Sequence, residues 1–186
     1  MNDGALDPLD DELAKARLGG RTALAVLVKA HQRAVYSLAL RMLGTRDLAE
    51  DLTQDVFMQL NGNLSAIESN KHLGFWLRRV TTNRAIDQLR RRSRVQMTSL
   101  EDDFFSAEDD ADPLLQRHLR DLLSDLSPQA RAVLLLRYQE DLDPTDIAQT
   151  LDMPINTVKS HLKRSLETMR EKSIGAQSAS CEDSST

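Results

Sequence analysis

Apolar residues recur along this chain at intervals of three and four positions, the spacing that places them on one face of an α-helix. The longest such pattern runs over residues 21–43, and Gly44 is suited to end it. Two further patterns cover residues 46–60 and 74–92. Asn61-Gly62-Asn63 breaks the first, and a polar connection over residues 64–73 precedes the second. Apolar and polar residues do not alternate over the length of a strand, so the pattern predicts an all-α protein.

Capping residues placed directly before prolines mark where other helices begin, because proline is favoured in the first helical turn. Asp7-Pro8 predicts a short first helix that Gly19-Gly20 ends, and Thr45 can cap the helix that follows Gly44. Three more helices are predicted to begin at pairs of this kind: Asp112-Pro113, Ser127-Pro128 and Asp143-Pro144. A last helix is predicted to follow Pro154.

Charge is segregated along the sequence, although the formal net charge is only −5. Residues 71–94 carry eight Lys or Arg and one acid, whereas residues 101–112 carry seven acids and no base. The acidic stretch is typical of a flexible linker. We therefore predict two small helical domains joined by a flexible acidic linker, arranged as follows: an N-terminal extension with a short helix (1–19), a first domain (20–95), the linker (96–112), a second domain (113–172) and a disordered tail (173–186).

Several classes of protein are excluded by what the sequence lacks. Residues 1–12 are acidic without an apolar core, so we expect no signal peptide, and no apolar run approaches the roughly 20 residues that span a bilayer. We therefore expect a cytoplasmic protein without membrane insertion. The single cysteine, Cys181, excludes an intrachain disulfide, and the scattered histidines lack metal-ligand spacing. Without a phosphate loop or nucleophile motif, we predict no enzyme, no catalytic residue, no metal or cofactor and no small-molecule substrate.

The helix over residues 46–60 has two distinct faces. Apolar residues at four-residue intervals predict its buried face: Leu48, Leu52, Val56 and Leu60. Another face, here called the acidic strip, is formed at spacings of three and four by Asp51, Gln54, Asp55 and Met58. The acidic strip is either an ordinary solvated surface or a docking site for a basic partner helix, where complementary charge sets register and association rate.

The helix over residues 74–92 combines arginines with aromatic residues. Its arginines, with one beyond its end, are Arg78, Arg79, Arg84, Arg90, Arg91, Arg92 and Arg94, and they flank an apolar stripe of Leu77, Val80, Ala85, Ile86 and Leu89. Arginines neutralise phosphates, and Phe75 and Trp76 can stack on an unpaired base. Asn83 and Asp87, one turn apart, can hydrogen-bond base edges. The arginines favour nucleic-acid binding. The alternative places Phe75 and Trp76 in the core, and for Trp76 the core and a base are equal alternatives.

Residues 143–170 predict a helix-turn-helix. Asp143 caps its first helix, and residues 152–154 turn the chain. The first helix packs through Ile147, Ala148 and Leu151, and the second is predicted to bury Val158, Leu162, Leu166 and Met169. A polar and basic face remains on the second helix, as major-groove reading requires. The alternative is a plain helical hairpin.

Taken in order, these motifs resemble the bacterial extracytoplasmic-function (ECF) sigma factors of the sigma-70 superfamily. The resemblance covers residues 20–172. It rests on the segments Ala49–Phe57 (AEDLTQDVF), Phe75–Val80 (FWLRRV), Ala85–Arg94, Leu126–Gln129 (LSPQ), Val133–Arg137 (VLLLR), Ile147-Ala148 and Thr157–Ser160 (TVKS). Each motif alone is moderately specific, whereas their shared order and spacing are highly specific.

The resemblance implies a sigma factor that binds core RNA polymerase and directs promoter-specific initiation. The β′ clamp helices and β flap of polymerase would be contacted by Asp51, Gln54, Asp55, Met58 and Arg137. A connection over residues 63–72 would capture an unstacked base, and the −10 element would be contacted by Ser69, Asn70, Lys71, Trp76, Arg79, Asn83, Arg84, Asp87, Arg90 and Arg91. The −35 element would be contacted by Asn156, Thr157, Lys159, Ser160, His161, Lys163 and Arg164.

The resemblance also implies a further partner and exposes some departures. An anti-sigma factor is expected as an inhibitor, and the acidic linker would run through the polymerase interior. His161 stands where such helices usually carry arginine, while Asn156 and Asp141 replace positions that are often glycine. Because residues 101–112 are tethered close to the basic helix, we also expect them to inhibit DNA binding by the free protein.

Two rival functions explain less of the sequence. A stand-alone helix-turn-helix transcription regulator accounts for residues 143–170 but leaves the acidic strip and residues 75–94 without a role. A pure adaptor protein accounts for the acidic strip but not for the two basic helices.

Overall fold

Four α-helices and a 3₁₀ turn form the described part of a first unit: α1 (Pro8–Arg17), α2 (Arg21–Leu43), α3 (Arg46–Asn63), the turn (Leu64–Ala66) and α4 (Asn70–Val95). This computed structural model describes residues 7–95 and 113–182, with side chains for residues 7–92 and 117–172. Four helices follow in a second unit: α5 (Pro113–Ser124), α6 (Pro128–Tyr138), α7 (Pro144–Leu151) and α8 (Ile155–Glu182).

The all-α class is confirmed, since neither described range contains a strand. Contacts divide the chain into two compact units, Met1–Phe104 and Phe105–Thr186. The acidic linker over residues 96–112, its predicted path and its predicted inhibitory contact all lie outside the described residues.

Helix ends in the first unit follow local sequence signals. Asp7 caps α1 by accepting the Leu9 amide hydrogen at 3.0 Å. Gly19 (φ +90°) and Gly44 (φ +81°) adopt the left-handed conformation that follows α1 and α2. The predicted bounds of α2 are therefore confirmed. Thr45 occupies the N-cap position of α3 as predicted, but its side chain makes no capping hydrogen bond.

The core of the first unit is built around α2, which packs against α1, α3 and α4. Its fully buried side chains include Leu13, Leu27, Leu38, Met42, Val56, Leu60, Ile67 and Leu73. Burial of each such side chain is worth about 1.5–3 kcal/mol, so this core fixes the orientation of α3 and α4. The apolar pattern over residues 21–43, which would place its members on one buried face, also includes Leu24, Val28 and Ala34. Leu24 and Val28 instead line a shallow depression on α2 and are half-buried, and Ala34 is exposed.

Two helix boundaries around residues 61–73 differ from the prediction. α3 continues through Gly62 to Asn63, whose Nδ2 donates to the Gln59 carbonyl oxygen at 2.7 Å. α4 begins at Asn70 rather than at Gly74 and extends beyond the predicted end to Val95. The connection is short because buried Leu64 and Ile67 hold it against the core. The sequence predicted a polar connection and did not indicate that these two residues are buried.

In the second unit, α6 and α7 pack against α8. Ser127 caps α6 by accepting the Ala130 amide hydrogen at 3.3 Å. Asp143 caps α7 by accepting the amide hydrogens of Thr145 at 2.7 Å and Asp146 at 2.9 Å. Both caps agree with the sequence prediction, and the buried core between the helices includes Ala132, Val133, Leu136, Ile147, Leu151 and Val158.

Arg131 is buried in this unit although it is charged. Its Nε donates to the Leu123 carbonyl oxygen at 2.9 Å and its Nη2 to the Ser124 carbonyl oxygen at 3.1 Å. Burial lowers the pKa of Arg131, but an arginine stays protonated at neutral pH. The guanidinium thus satisfies carbonyl groups that the end of α5 leaves without helical partners.

Helix α8 differs from the prediction in length and in its buried face. It continues to Glu182, through residues predicted to be disordered. Leu166 was expected in the core but is 44% exposed, whereas Ser165 is 2% exposed. The reason is the helical period: at 3.6 residues per turn, position 165 falls about 20° from Val158 around the axis and position 166 about 80° from it. The core seam therefore passes through the serine.

Candidate nucleic-acid and partner-binding surfaces

The acidic strip is exposed along α3. Asp51, Gln54 and Asp55 are exposed, and Met58 has 67% of its surface accessible. On the opposite side Leu52, Val56 and Leu60 are buried, together with Ala49, while Leu48 is only half-buried. The two faces of the helix are therefore separated much as the spacing predicted. The exposed thioether of Met58, one turn beyond Asp55, offers a soft apolar contact at the end of a charged surface.

One arginine joins the acidic strip to the basic helix. Arg84 Nη1 lies 3.2 Å from Asp55 Oδ2, and Arg84 Nε donates to Gln59 Oε1 at 3.0 Å. Both charged side chains remain partly exposed, and such a pair contributes at most about 1 kcal/mol. The structure thus brings together two residues that the sequence analysis had assigned to different partners, polymerase for Asp55 and DNA for Arg84.

The remaining basic face of α4 is accessible. Arg79, Arg90 and Arg91 are exposed, and Asp87 Oδ1 lies 3.9 Å from Arg90 Nη1. Beneath them Leu77, Ala85 and Ile86 are buried as predicted, whereas Val80 and Leu89 are half-buried. Half-burial also describes Phe75, Trp76 and Asn83. Each aromatic residue therefore packs partly against the protein and keeps some exposed surface. The structure agrees in part with both alternatives, a place in the core and stacking on a base.

Two threonines on the buried side of α4 were missed by the sequence analysis. Thr81 and Thr82 have no exposed surface. Their hydroxyl groups donate to the carbonyl oxygens one turn earlier, Thr81 to Leu77 at 2.7 Å and Thr82 to Arg78 at 2.5 Å. Because each hydroxyl is satisfied within its own helix, the polar pair can be buried without an external partner.

The connection between α3 and α4 is divided into buried and exposed positions. Leu64 and Ile67 are buried, while Ser65, Ala66 and Glu68 are exposed. At its far end Ser69 Oγ accepts the His72 amide hydrogen at 3.1 Å. The predicted DNA contact Lys71 is exposed. The exposed positions 65, 66 and 68 lie within the connection predicted to capture a base, although none of the three was named as a DNA contact.

Asn70, a predicted DNA contact, is held by residues of the first two helices. Its amide N–H donates to Asp10 Oδ1 at 2.5 Å, and its Nδ2 donates to Asp7 Oδ2 at 2.6 Å. His31 Nε2 lies 2.9 Å from the side-chain oxygen. The pKa of Asp7 is lowered mainly by the Leu9 amide and next by the Asn70 amide. Asn70 therefore already has partners within the protein.

In the helix-turn-helix, the predicted reading face of α8 is largely open. Its exposed members are Asn156, Thr157, Lys159, Ser160, Lys163 and Arg164, while His161 is half-buried. Ser160 Oγ donates to the Asn156 carbonyl oxygen at 2.8 Å, and Lys163 Nζ lies 4.0 Å from Glu167 Oε1. These contacts are local and exposed, so the cationic side chains are free to reorient toward a phosphate or base.

The turn between α7 and α8 contains the predicted turn residue Asp152, whose left-handed conformation the sequence analysis did not predict. Asp152 adopts φ +51° at the end of α7, and Asp141 adopts φ +50° before it. The departure from glycine noted at Asp141 thus falls on a left-handed position, whereas Asn156 lies inside α8. The turn therefore comprises residues 152–154, as the sequence predicted, and α8 begins at Ile155.

Arg137 and Asp143 shape the loop before α7. Arg137 Nη1 donates to the Leu142 carbonyl oxygen at 3.0 Å, so this half-buried side chain holds the loop. Hydrogen bonds from the Asp146 and Thr145 amides lower the pKa of Asp143, and the charge of Arg137 adds to the effect. Arg137, a predicted polymerase contact, therefore also has a role inside its own unit.

Within the described ranges, no group of three His, Cys, Asp or Glu side chains is arranged to hold a metal ion. A helix long and apolar enough to cross a membrane is likewise not found in residues 7–95 or 113–182.

Comparisons with protein families match both units. Residues 27–95 match the family described as Sigma-70 region 2, and residues 116–169 match that described as Sigma-70, region 4. α1 lies before the first match.

Several characterised relatives are similar over most of the chain. The ECF RNA polymerase sigma factor SigE of Mycolicibacterium smegmatis is 35% identical over 153 residues, which are 78% of this chain and 59% of that protein. The RNA polymerase sigma-E factor of Streptomyces coelicolor is 31% identical over 152 residues, 79% of this chain and 84% of that one. SigW of Bacillus subtilis is 26% identical over 174 residues, 86% and 93% of the two chains.

Two solved structures share the fold. The sigma factor RpoE in complex with the anti-sigma factor NepR from Bartonella quintana has a TM-score of 0.67 at 24% identity, covering 77% of this chain and 92% of that one. CnrH in complex with the cytosolic domain of CnrY has a TM-score of 0.64 at 20% identity, covering 97% and 100%.

Proposed function

The chain belongs to the ECF group of sigma-70 RNA polymerase sigma factors, and from this premise we propose how its surfaces divide the work of promoter-specific initiation. The first unit docks on core polymerase and opens the −10 element, and the second reads the −35 element. The sigma subunit contributes binding energy, and the chemical step of RNA synthesis belongs to polymerase. The single observation that carries this division is the separation of an acidic from a basic surface within the first unit.

Core polymerase is proposed to bind the acidic strip. Exposed Asp51 and Asp55 would pair with basic side chains on the β′ clamp helices, and Met58 would supply an adaptable apolar contact. Gln54 lies between the carboxylates on the same face and can both donate and accept hydrogen bonds. Arg137 is the proposed contact near the β flap, although its bond to Leu142 limits its reach.

The −10 element is proposed to bind the basic face of α4 and the connection before it. Exposed Arg79, Arg90 and Arg91 would neutralise phosphates, and the accessible part of Trp76 would stack beside the melted strand. Unstacking a base costs a few kcal/mol, which a pocket for the flipped base and nearby arginines can offset. Further contacts are proposed at Ser69, Lys71, Asn83 and Asp87, whereas Arg84 is held by Asp55 and Gln59.

The −35 element is proposed to bind α8 in the major groove. Its open cationic face would supply phosphate and base contacts through Lys159, Lys163 and Arg164, with Asn156, Thr157, Ser160 and His161 beside them. His161, half-buried and in the place of an arginine in the family, supplies a shorter side chain. We expect its contact to be weaker than the bidentate guanine contact of arginine.

A protein inhibitor is proposed as a second partner. The similar RpoE and CnrH structures are complexes, the first with an anti-sigma factor and the second with a cytosolic domain of another protein. We propose that an anti-sigma factor likewise covers surfaces of this chain that polymerase would use. The rival function, a stand-alone helix-turn-helix regulator, is not favoured because the region 2 match and the acidic strip would then have no role.

Run-off transcription with core RNA polymerase, on a pool of the host's upstream DNA, tests this function. Adding the protein should produce new, discrete start sites. The Asp51→Ala plus Asp55→Ala variant should abolish them, because two carboxylates of the docking surface are lost. Asp11→Ala plus Glu12→Ala removes the same charge from α1, where both acids face Lys15, and should leave the starts intact. Specific duplex binding without any new start would favour the stand-alone regulator.

A further inference from the structure

Helix α1 touches the proposed base-capturing connection although it lies before the region 2 match. Two carboxylates, Asp7 at its N-cap and Asp10 in its first turn, hold the residue at which α4 begins. Asp10 Oδ1 accepts the Asn70 backbone N–H at 2.5 Å, and Asp7 Oδ2 accepts from Asn70 Nδ2 at 2.6 Å. The backbone bond satisfies one of the amide groups that the first turn of a helix leaves unpaired. A residue some 60 positions away in sequence therefore caps α4.

The orientation of the Asn70 amide follows from this arrangement. A carboxylate can only accept, so the nitrogen of the amide must face Asp7 and its oxygen must face His31. His31 Nε2, at 2.9 Å, is then the donor to that oxygen. Both ends of the amide are engaged within the protein, which leaves the side chain poorly placed to read a base.

The other end of the connection also meets α1. Arg17 Nη2 donates to the Ser65 carbonyl oxygen at a longer distance of 3.4 Å. Between the two attachments, Ile67 is fully buried while Ala66 and Glu68 are exposed. The exposed backbone is thus attached at both ends to one helix, and that helix is fixed to the core by buried Leu13.

We infer that α1 is a positioning helix for −10 recognition: Asp7 and Asp10, acting through Asn70, set the shape of residues 65–69 that receives the unstacked base. This inference rests on the proposed function. In it Asn70 is an anchor and not a base reader, and Asp7 and Asp10 are positioning residues that never touch DNA. Base discrimination needs groups held within about 0.5 Å of their working geometry, which a short exposed connection does not achieve unaided.

Selection from a promoter library tests the inference. A promoter obtained with the wild-type protein is randomised at its −10 element and transcribed by polymerase with the full chain. At the position read by the connection, wild type should prefer the best base over the worst by a certain ratio of transcription. Asp7→Ala plus Asp10→Ala should reduce that ratio by roughly tenfold. Preference at the −35 element should not change. The control with equal charge change, Asp11→Ala plus Glu12→Ala, should keep the wild-type profile.

Single substitutions separate positioning from loss of folding. Asp10→Ala should relax the −10 preference, whereas Asp10→Asn retains an oxygen acceptor for the Asn70 amide and should restore it. Asn70→Ala removes the side-chain bond to Asp7 but keeps the backbone N–H that Asp10 accepts, so it should relax the profile only in part. Adding it to Asp7→Ala plus Asp10→Ala should cause no further loss, because the carboxylate partners of Asn70 are already absent there. A thermal melt of each variant identifies any that does not fold. If the double variant fails to fold, the Asp10→Ala and Asp10→Asn pair decides.

The outcomes distinguish this inference from the proposed function. An unchanged −10 profile in folded Asp7→Ala plus Asp10→Ala, while start sites still require Asp51 and Asp55, would overturn the positioning role and leave the sigma function standing. A folded Asn70→Ala variant that loses preference further in the double-variant background would make Asn70 a base reader and also overturn it. If the wild-type protein yields no start sites, the proposed function and the inference fall together.

Discussion

The two proposed DNA-binding surfaces differ in whether their side chains already form hydrogen bonds or ion pairs with distant segments of the protein. On α8 the polar and cationic residues are exposed, with contacts confined to neighbours one turn away, such as Lys163 with Glu167. In the first unit, Asn70 is bound to α1 and α2, and Arg84 to α3. The second unit therefore presents an open reading face, whereas the first presents a surface whose shape is set by contacts between distant segments.

This contrast predicts that α8 will show the largest effects of removing a single charge. Arg164→Ala should weaken binding to a −35 duplex by about 10-fold or more, since a direct base or phosphate contact is worth roughly 1–3 kcal/mol. Arg170→Ala removes an equally exposed arginine about 120° away around the helix and should change binding by less than about twofold. Titration of polymerase containing each variant against labelled promoter DNA measures both. Equal losses would mean that α8 does not present the proposed face.

A second pair of arginines tests the same contrast within α4. Arg91 is exposed, whereas Arg84 is bound to Asp55 and Gln59. Arg91→Ala should reduce the slope of log affinity against log salt by about 1, the effect of losing one phosphate contact. Arg84→Ala should leave that slope nearly unchanged. It should change the affinity for core polymerase instead, because Asp55 loses its ion-pair partner. If Arg84→Ala reduces the slope of log affinity against log salt as much as Arg91→Ala does, Arg84 must leave Asp55 and contact a phosphate when DNA binds.

Helix caps extend the comparison from binding to stability. Ser127→Ala should lower the free energy of unfolding of the second unit by about 1 kcal/mol, since the hydroxyl bonded to the Ala130 amide is lost. Thr45→Val in the first unit should change stability by less than about 0.5 kcal/mol, or raise it, because the Thr45 hydroxyl is buried without a partner. Urea unfolding followed by circular dichroism checks both. A large loss on Thr45→Val would indicate a capping bond formed in solution.

Sequence periodicity was sufficient where contacts are local. Asp7, Ser127 and Asp143 cap helices as their place before proline predicted, and the bounds of α2 follow from its pattern and Gly44. The surfaces that depend on one helix face, the acidic strip and the polar side of α8, were predicted for the same reason. The chemistry within a turn or a helix is contained in a few neighbouring residues.

Tertiary contacts explain what the sequence did not predict. Nothing local to Asn70 indicates that Asp7 and Asp10 hold it, and nothing local to Leu64 and Ile67 indicates that they anchor a connection that reads as polar. Leu166 was predicted to be buried because it is apolar, but the helical period places Ser165 in the core instead. Partners far apart in sequence become visible only when the fold brings them together.

The smallest predicted effect concerns the turn of the helix-turn-helix. Asp152 adopts φ +51° at the end of α7, a conformation that non-glycine residues adopt at a cost. Asp152→Gly should therefore raise the free energy of unfolding of the second unit by about 0.5–1 kcal/mol. Asn156→Gly is the matched substitution in the first turn of α8 and should lower it by less than about 0.5 kcal/mol, because glycine is only slightly poorer than asparagine as a helix residue.

Thermal unfolding of the two glycine variants decides which residue carries the turn. Opposite shifts in Tm would place the left-handed position at Asp152, and promoter binding by Asp152→Gly should then match the wild type, since the reading face of α8 is unaltered. A stabilising Asn156→Gly would instead mean that α8 begins later in solution. Asn156 would then no longer belong to the exposed face of α8 that is proposed to read DNA. That face would be less clearly distinguished from the DNA-binding surface of the first unit.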